Sequence, residues 1–167
     1  VSADPPVTLN DTTEPAITGT TVTSNNGSIA VTFSEAVYNT SGGSGALEAS
    51  DFTLTLSGGT ATLSSATPSS ISSSSNTYTL GLSLSGTPNG SETITVVPSS
   101  STAIYDAAGN AASTSQSNNT VTLNDKTAPT VSSVAITSAT GILNNFLNAG
   151  DVVSVTATFS ENVSVTG

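Results

Sequence analysis

The sequence predicts an all-β protein, and two observations lead to that prediction. Apolar and polar residues alternate with a period of two in many short segments, as in Asp51-Phe52-Thr53-Leu54-Thr55-Leu56, where the phenylalanine and both leucines share one face. Serine and threonine make up more than a third of the 167 residues, and no segment has sustained helical spacing. We therefore expect short strands that are each buried on one face.

Seven such strands fit between residues 12 and 125. They are predicted at Ile17 to Val22, Ser28 to Phe33, Asp51 to Leu56, Ala61 to Leu63, Thr77 to Leu84, Glu92 to Val96 and Thr120 to Leu123. Segments rich in Asn and Gly separate them, and these residues favour turns because they tolerate positive φ. About 110 residues with seven short strands favour an immunoglobulin-like seven-stranded β-sandwich, although the Cys-Trp-Cys signature of antibody domains is missing.

The alternation also predicts which side chains form the core, since one face of each strand must point inward. The predicted core residues are Ile29, Val31, Phe33, Phe52, Leu54, Leu56, Tyr78, Leu80, Leu82, Ile94, Val96, Val121 and Leu123.

Internal repeats predict the domain organisation. The segment Val7-Thr8-Leu9-Asn10-Asp11 recurs as Val121-Thr122-Leu123-Asn124-Asp125, and Val31-Thr32-Phe33-Ser34-Glu35 recurs as Ala157-Thr158-Phe159-Ser160-Glu161. Both pairs occur in the same order, although extra residues around 144–150 lengthen the second interval. We expect the chain to be a window on a longer tandem array.

This repeat pattern predicts three parts. Residues 1–11 are the last strand of a preceding repeat plus a linker, and residues 12–125 are one complete repeat. Residues 126–167 are the opening strands of the next repeat, a partial second sandwich at the C-terminal end.

Composition excludes several function classes. The chain has no His, Cys, Met or Trp and one basic residue, Lys126, so it cannot form a His/Cys zinc site, a redox thiol pair or a Ser-His-Asp triad. Its net charge of -10 argues against binding to nucleic acid, and it contains no apolar run long enough for direct membrane insertion. The scarcity of aromatic residues also argues against a glycosidase cleft, so we do not expect an enzyme.

Three motifs resemble a known family. They are Thr32-Phe33-Ser34-Glu35 after a strand, Asp106-Ala107-Ala108-Gly109-Asn110 near the end of the repeat, and the junction Asp125-Lys126-Thr127-Ala128-Pro129. Together they are similar to the bacterial immunoglobulin-like tandem repeats of giant cell-surface adhesins and S-layer-type surface proteins. The resemblance covers the whole chain and implies an extracellular rod that is rigidified by calcium, with neighbouring repeats of the same protein as partners.

The positions of the acidic residues in the sequence are compatible with calcium binding. In a sandwich of this kind, the N-terminal linker and the loops after the second strand and before the last strand lie at one pole. Carboxylates gathered there repel one another unless a cation lies among them, and their hard oxygen atoms favour calcium. The predicted metal ligands are Asp11, Glu14, Glu35, Glu48, Asp51, Asp106 and Asn110, with Asp125 and Glu161 in the equivalent set at the next junction. The alternative is that these acids only solvate loops.

Two function classes remain open at this point. The first is a structural extender repeat of an adhesin stalk, surface filament or coat. The second is a carbohydrate- or protein-binding adhesion module, although the loops lack the aromatic and Arg residues that usually carry binding energy.

Open strand edges further predict head-to-tail self-assembly, in which Val7-Thr8-Leu9 of one molecule pairs with residues 152–159 of another. The simpler alternative is a continuous array in one polypeptide.

Overall fold

The computed structural model describes residues 9–141, 143–144 and 146–166. The described residues form two units, unit 1 ending at Lys126 and unit 2 beginning at Thr127. Both consist of antiparallel β-structure, so the all-β prediction is confirmed. The one helix in the described part of the chain is a 3₁₀ turn at Ala49–Asp51, which is far too short to span a membrane.

Unit 1 contains two larger sheets and one small one. Its described strands are β1 (Ile17–Val22), β2 (Ser28–Phe33), β3 (Phe52–Ser57), β4 (Thr62–Leu63), β5 (Ile71–Ser74), β6 (Thr77–Gly81), β7 (Leu84–Ser85), β8 (Thr93–Pro98) and β9 (Thr120–Thr122). The four-stranded sheet has the order β1-β2-β6-β5, the three-stranded sheet has the order β3-β8-β9, and β4 pairs with β7. All of these pairings are antiparallel.

The two larger sheets share one hydrophobic core. Phe33 and Tyr78 from the four-stranded sheet contact Phe52 from the other sheet, with ring centroids 6.4 and 6.1 Å from that of Phe52. Eleven of the predicted core residues are buried, and Leu56 and Val121 are half-buried and pack against them. The predicted strand register is therefore confirmed, because a shift of one residue would have exposed the whole set.

The predicted strand from Thr77 to Leu84 is wrong in its extent. β6 ends at Gly81, whose backbone N–H donates to Ser70 O at 2.9 Å, and Leu84 pairs instead with Leu63 in the small sheet. The chain thus leaves one sheet and joins another within three residues. The sequence prediction also missed β5, because an edge strand that reads Ile-Ser-Ser-Ser has no apolar alternation to detect.

Unit 2 consists of the hairpin of β10 (Val131–Thr140) and β11 (Val152–Phe159). Almost every side chain of this hairpin is exposed. The assignment of residues 126–167 to the opening strands of a further repeat stays a prediction.

A buried asparagine holds the last strand of unit 1 in place. Asn26 lies in the β1–β2 turn with φ 58°, and its Nδ2 donates to Asn124 O at 2.7 Å. Its Oδ1 accepts hydrogen bonds from the backbone N–H and the side-chain Nδ2 of Asn124, at 2.9 and 3.0 Å. One side chain thereby connects the first turn of the unit to the segment that follows β9.

We expect Asn26→Ala to lower the free energy of unfolding by about 2–3 kcal/mol, because it removes three hydrogen bonds between the buried Asn26 side chain and Asn124. The matched control is Asn118→Ala, since Asn118 has a similar φ of 55° but an exposed side chain. The control should cost only about 1 kcal/mol, from placing alanine in the left-handed region. Urea denaturation of both variants measures the difference, and equal losses would contradict the role assigned to the Asn26 side chain.

Candidate functional site

Three of the predicted ligands come together at one end of unit 1. Asp11, Glu35 and Asp106 each offer a carboxylate oxygen, and these oxygen atoms all lie within 4.8 Å of one another. Across residues 9–141, 143–144 and 146–166, no other group of three or more acidic side chains meets this criterion. We call these three residues the acidic trio.

Asp11 and Glu35 are brought together by the way the entry segment joins β2. Ser34 N donates to Ala16 O at 2.8 Å, and Ala16 N donates to Ser34 Oγ at 3.0 Å. This pair of hydrogen bonds holds the chain before β1 against the residue that precedes Glu35. Upstream, Asp11 Oδ1 accepts a hydrogen bond from Thr13 N at 2.9 Å, which shapes the entry segment locally.

Asp106 reaches the same end because two long loops pair with each other. Tyr38 and Tyr105 exchange backbone hydrogen bonds of 2.7 and 2.8 Å, which connects the loop after β2 to the loop before β9. Asp106 follows Tyr105 directly and is fully buried. The predicted pole therefore forms through backbone pairing between loops that are far apart in sequence.

Asn110 orients the buried carboxylate of Asp106. Its backbone N–H donates to Asp106 Oδ1 and its side-chain Nδ2 donates to Asp106 Oδ2, both at 2.7 Å. The same Nδ2 also donates to the backbone oxygen of Asp11 at 3.2 Å. Burial alone would raise the pKa of Asp106, but the side-chain and backbone hydrogen bonds of Asn110, with those of Gly109 and Ala108, lower it.

Glu35 is the member of the trio whose ionised form is disfavoured. Burial, followed by the charges of Asp106 and Asp11, raises its pKa above the ordinary value. Ionisation of Glu35 therefore opposes folding at pH values above its ordinary pKa, and this opposition is relieved as the pH falls. A cation among the three carboxylates would reverse the effect, because it favours the charged form.

The remaining predicted ligands are not members of the trio. Glu14 is exposed in the entry segment, and Glu48 and Asp51 belong to the 3₁₀ turn, where Asp51 Oδ2 accepts a hydrogen bond from Glu48 N at 2.7 Å. Asp125 lies near the end of unit 1, and Glu161 is half-buried in unit 2 after β11. The ligand roles of these five residues, of Asn110 and of the trio itself all stay predictions.

The sequence analysis missed a fully buried carboxylate in unit 1. Glu92 is fully buried just before β8, and it accepts hydrogen bonds from the backbone N–H groups of Thr60, Ala61, Asn89 and Gly90 at 2.7 to 3.2 Å. Burial would raise its pKa, but backbone hydrogen bonds, led by those from Ala61 and Thr60, lower it to about 2. The sequence contained a signal for this position, since Glu92 shares the inward parity of Ile94 and Val96.

Comparison of the chain with protein-family models, with curated proteins and with solved structures found no match.

Proposed function

We propose that this chain is a structural extender segment of an extracellular surface protein, such as an adhesin stalk, a surface filament or a coat. In this proposal unit 1 is an immunoglobulin-like repeat, neighbouring repeats of the same protein are its partners, and calcium rigidifies the junctions. The observation that carries the proposal is the acidic trio. Asp11 comes from the entry segment, whereas Glu35 and Asp106 come from loops of the sheet-containing body.

The trio has the chemistry of a calcium site. Calcium prefers six to eight oxygen ligands at about 2.3–2.6 Å, and carboxylates supply such oxygens. The hydrogen bonds from Asn110 hold Asp106 in its charged form, while burial and then the negative charges of Asp106 and Asp11 raise the pKa of Glu35. A calcium ion bound by all three side chains would fasten the entry segment to two loops of unit 1, and that would stiffen the passage between consecutive repeats.

A thermal unfolding experiment tests this proposal. A calcium concentration about 100 times the Kd should stabilise the chain by about 2.7 kcal/mol, because the ion binds the folded state alone. Asp11→Asn should lose most of this gain. Without calcium the same variant should be at least as stable as the native chain, because one repelling charge has been removed.

The matched control is Glu14→Gln, which removes one exposed acid from the same entry segment without touching the trio. It should keep the full calcium response. The calcium site would be refuted by a native melting curve that is the same in calcium and in excess chelator. An equal loss of response in both variants would refute the assignment of Asp11.

The extender role makes a separate expectation for the overall dimensions. Small-angle X-ray scattering should report a narrower distribution of maximum dimensions in calcium than in chelator, because calcium restricts the entry segment.

A glycan or cell-binding assay on the same chain tests the adhesion-module alternative. In unit 1 a groove of about 320 Å³ is lined by Leu54, Leu56, Leu63 and small residues, and none of its lining residues is aromatic or Arg. Its lining therefore favours the structural role.

A further inference from the structure

The turn before β8 contains Asn89-Gly90, one of the two Asn-Gly pairs of this sequence; the other is Asn26-Gly27. Such pairs are prone to deamidation, because glycine has no Cβ to hinder attack by its own backbone nitrogen. In that reaction the glycine nitrogen forms a bond to Cγ of the asparagine, and the Cγ–Nδ2 bond breaks. The NH₂ group leaves as ammonia with the proton of the glycine N–H. Water then opens the succinimide ring to aspartate or isoaspartate.

The fold requires glycine at position 90. Its φ is 79°, in the left-handed region that favours glycine, and a Cβ there would lie 3.2 Å from Asp125 Cβ. The turn also lies against the end of unit 1, since Lys126 N donates to Pro88 O at 2.8 Å. A side chain that would slow the reaction is therefore strained at this position, and any protection of the pair must come from other residues.

Glu92 binds the nitrogen that would attack. Gly90 N–H donates to Glu92 Oε2 at 3.1 Å, and Asn89 N–H donates to the same carboxylate at 3.0 and 3.2 Å. The attacking nitrogen must lose its proton. A carboxylate that accepts this hydrogen opposes that loss, because a second negative charge would form beside the first. The carboxylate is charged at neutral pH, since its pKa is lowered to about 2.

The side chain of Asn89 is placed differently. Asn89 is half-buried, and its Oδ1 accepts a hydrogen bond from Ser91 N at 3.1 Å. This hydrogen bond draws electrons away from Cγ, so it favours attack on that carbon. The contact that opposes reaction at this pair is therefore the one between Glu92 and the N–H of Gly90.

The Asn26-Gly27 pair is held by other contacts. Asn26 is 2% exposed, and its Nδ2, which would leave as ammonia, donates to Asn124 O at 2.7 Å. Gly27 N–H donates to Asn25 Oδ1 at 2.9 Å. None of these contacts involves Glu92, so the second pair is an internal reference within the same chain.

We propose that Asn89 is a latent deamidation site, which the Glu92 carboxylate keeps unreacted by binding the N–H of Gly90. The proposal does not depend on the extender function. Isoaspartate at position 89 adds a methylene group to the main chain, so the N–H groups of residues 89 and 90 no longer meet the carboxylate together. The reaction therefore removes the contact that opposed it, and it loosens the turn that lies against Lys126.

The test measures deamidation at Asn89 and Asn26 in the full 167-residue chain at neutral pH, by peptide mapping with mass spectrometry. Each rate is divided by the rate at the same site in the urea-unfolded chain. Glu92→Met keeps the length of the side chain and removes both oxygen atoms. It should make the relative rate at Asn89 at least about tenfold higher than that at Asn26, because a charge-assisted hydrogen bond is lost.

The matched control is Phe52→Ala, which destabilises unit 1 from its core and leaves the turn intact. Its relative rates at Asn89 and Asn26 should agree within about twofold, because global unfolding exposes both pairs alike. The native chain supplies a measurement that does not need a variant to fold. Hydrogen exchange should show the Gly90 N–H protected at least about tenfold over the unfolded chain.

Three results would overturn the proposal. The first is an unprotected Gly90 N–H in the native chain. The second is a native deamidation rate at Asn89 equal to that of the unfolded chain. The third is equal acceleration at Asn89 and Asn26 in Glu92→Met, since unfolding and not loss of the carboxylate contact would then expose Asn89.

Discussion

Glu92→Gln should be one of the two most damaging single substitutions in unit 1, lowering the free energy of unfolding by about 2–4 kcal/mol. The carboxylate accepts hydrogen bonds on both oxygens, from Thr60 and Ala61 on one side and from Asn89 and Gly90 on the other. A glutamine side chain replaces one acceptor by an NH₂ group, which would face backbone donors. The buried N–H groups that lose their acceptor carry the cost, and chemical denaturation measures it.

The pH dependence of stability separates this role from a simple packing role. Because the folded pKa of Glu92 is lowered to about 2, its stabilisation is fully present above its ordinary pKa and is lost as the pH falls toward 2. The native chain should therefore lose stability between about pH 5 and pH 2, and Glu92→Gln should lose less over that range. Glu14→Gln, at an exposed position, should follow the native curve. A Glu92→Gln curve parallel to the native one would contradict the hydrogen-bonded carboxylate.

Phe52→Ala should cost about 3–5 kcal/mol, because it removes a large side chain from a packed core and leaves a cavity. Phe52 is 1% exposed and lies within 6.4 Å of Phe33 and 6.1 Å of Tyr78, measured between ring centroids. It is the aromatic ring by which the three-stranded sheet contacts the four-stranded one. Thermal and urea unfolding should both show this loss of stability when they are monitored by a signal from unit 1.

The matched control is Phe146→Ala in unit 2, where the ring is 72% exposed. This substitution should change stability by less than about 0.5 kcal/mol, since surface substitutions away from packed contacts usually do. If the two alanine variants were equally stable, the contact between the sheets through Phe52 would not support the fold.

Much of the fold of unit 1 could be predicted because its strands alternate cleanly. Apolar residues at every second position are enough to indicate the buried face of a strand, as Phe52 and Leu54 do in β3 and Ile94 and Val96 do in β8. The exit of the chain at Gly81 could not be predicted, because the apolar alternation continues through Leu82 and Leu84 while the hydrogen bonds change partners. Pairing between distant segments decides that boundary, and local pattern does not encode it.

The candidate site was predicted in part for a related reason. Sandwich topology indicates which loops meet at one pole, and so it indicated Asp11, Glu35 and Asp106 together. It does not indicate which side chains in those loops converge to within ligand distance. Glu48 and Asp51 differ from the trio because the Asp51 carboxylate accepts a hydrogen bond from the backbone N–H of Glu48 and so caps the local 3₁₀ turn. Hydrogen bonds between groups three residues apart form readily, and they compete with contacts that the same side chain could make to distant segments.

The position of Lys126 has a consequence for proteolysis. Proteases of the trypsin type need a basic side chain in their specificity pocket, and this chain contains a single Lys and no Arg. That lysine is the last residue of unit 1, and its backbone N–H is held by Pro88 O at 2.8 Å. Such an enzyme therefore has one scissile bond in 167 residues, and cutting it would place the two units on separate polypeptides without severing a described strand of either.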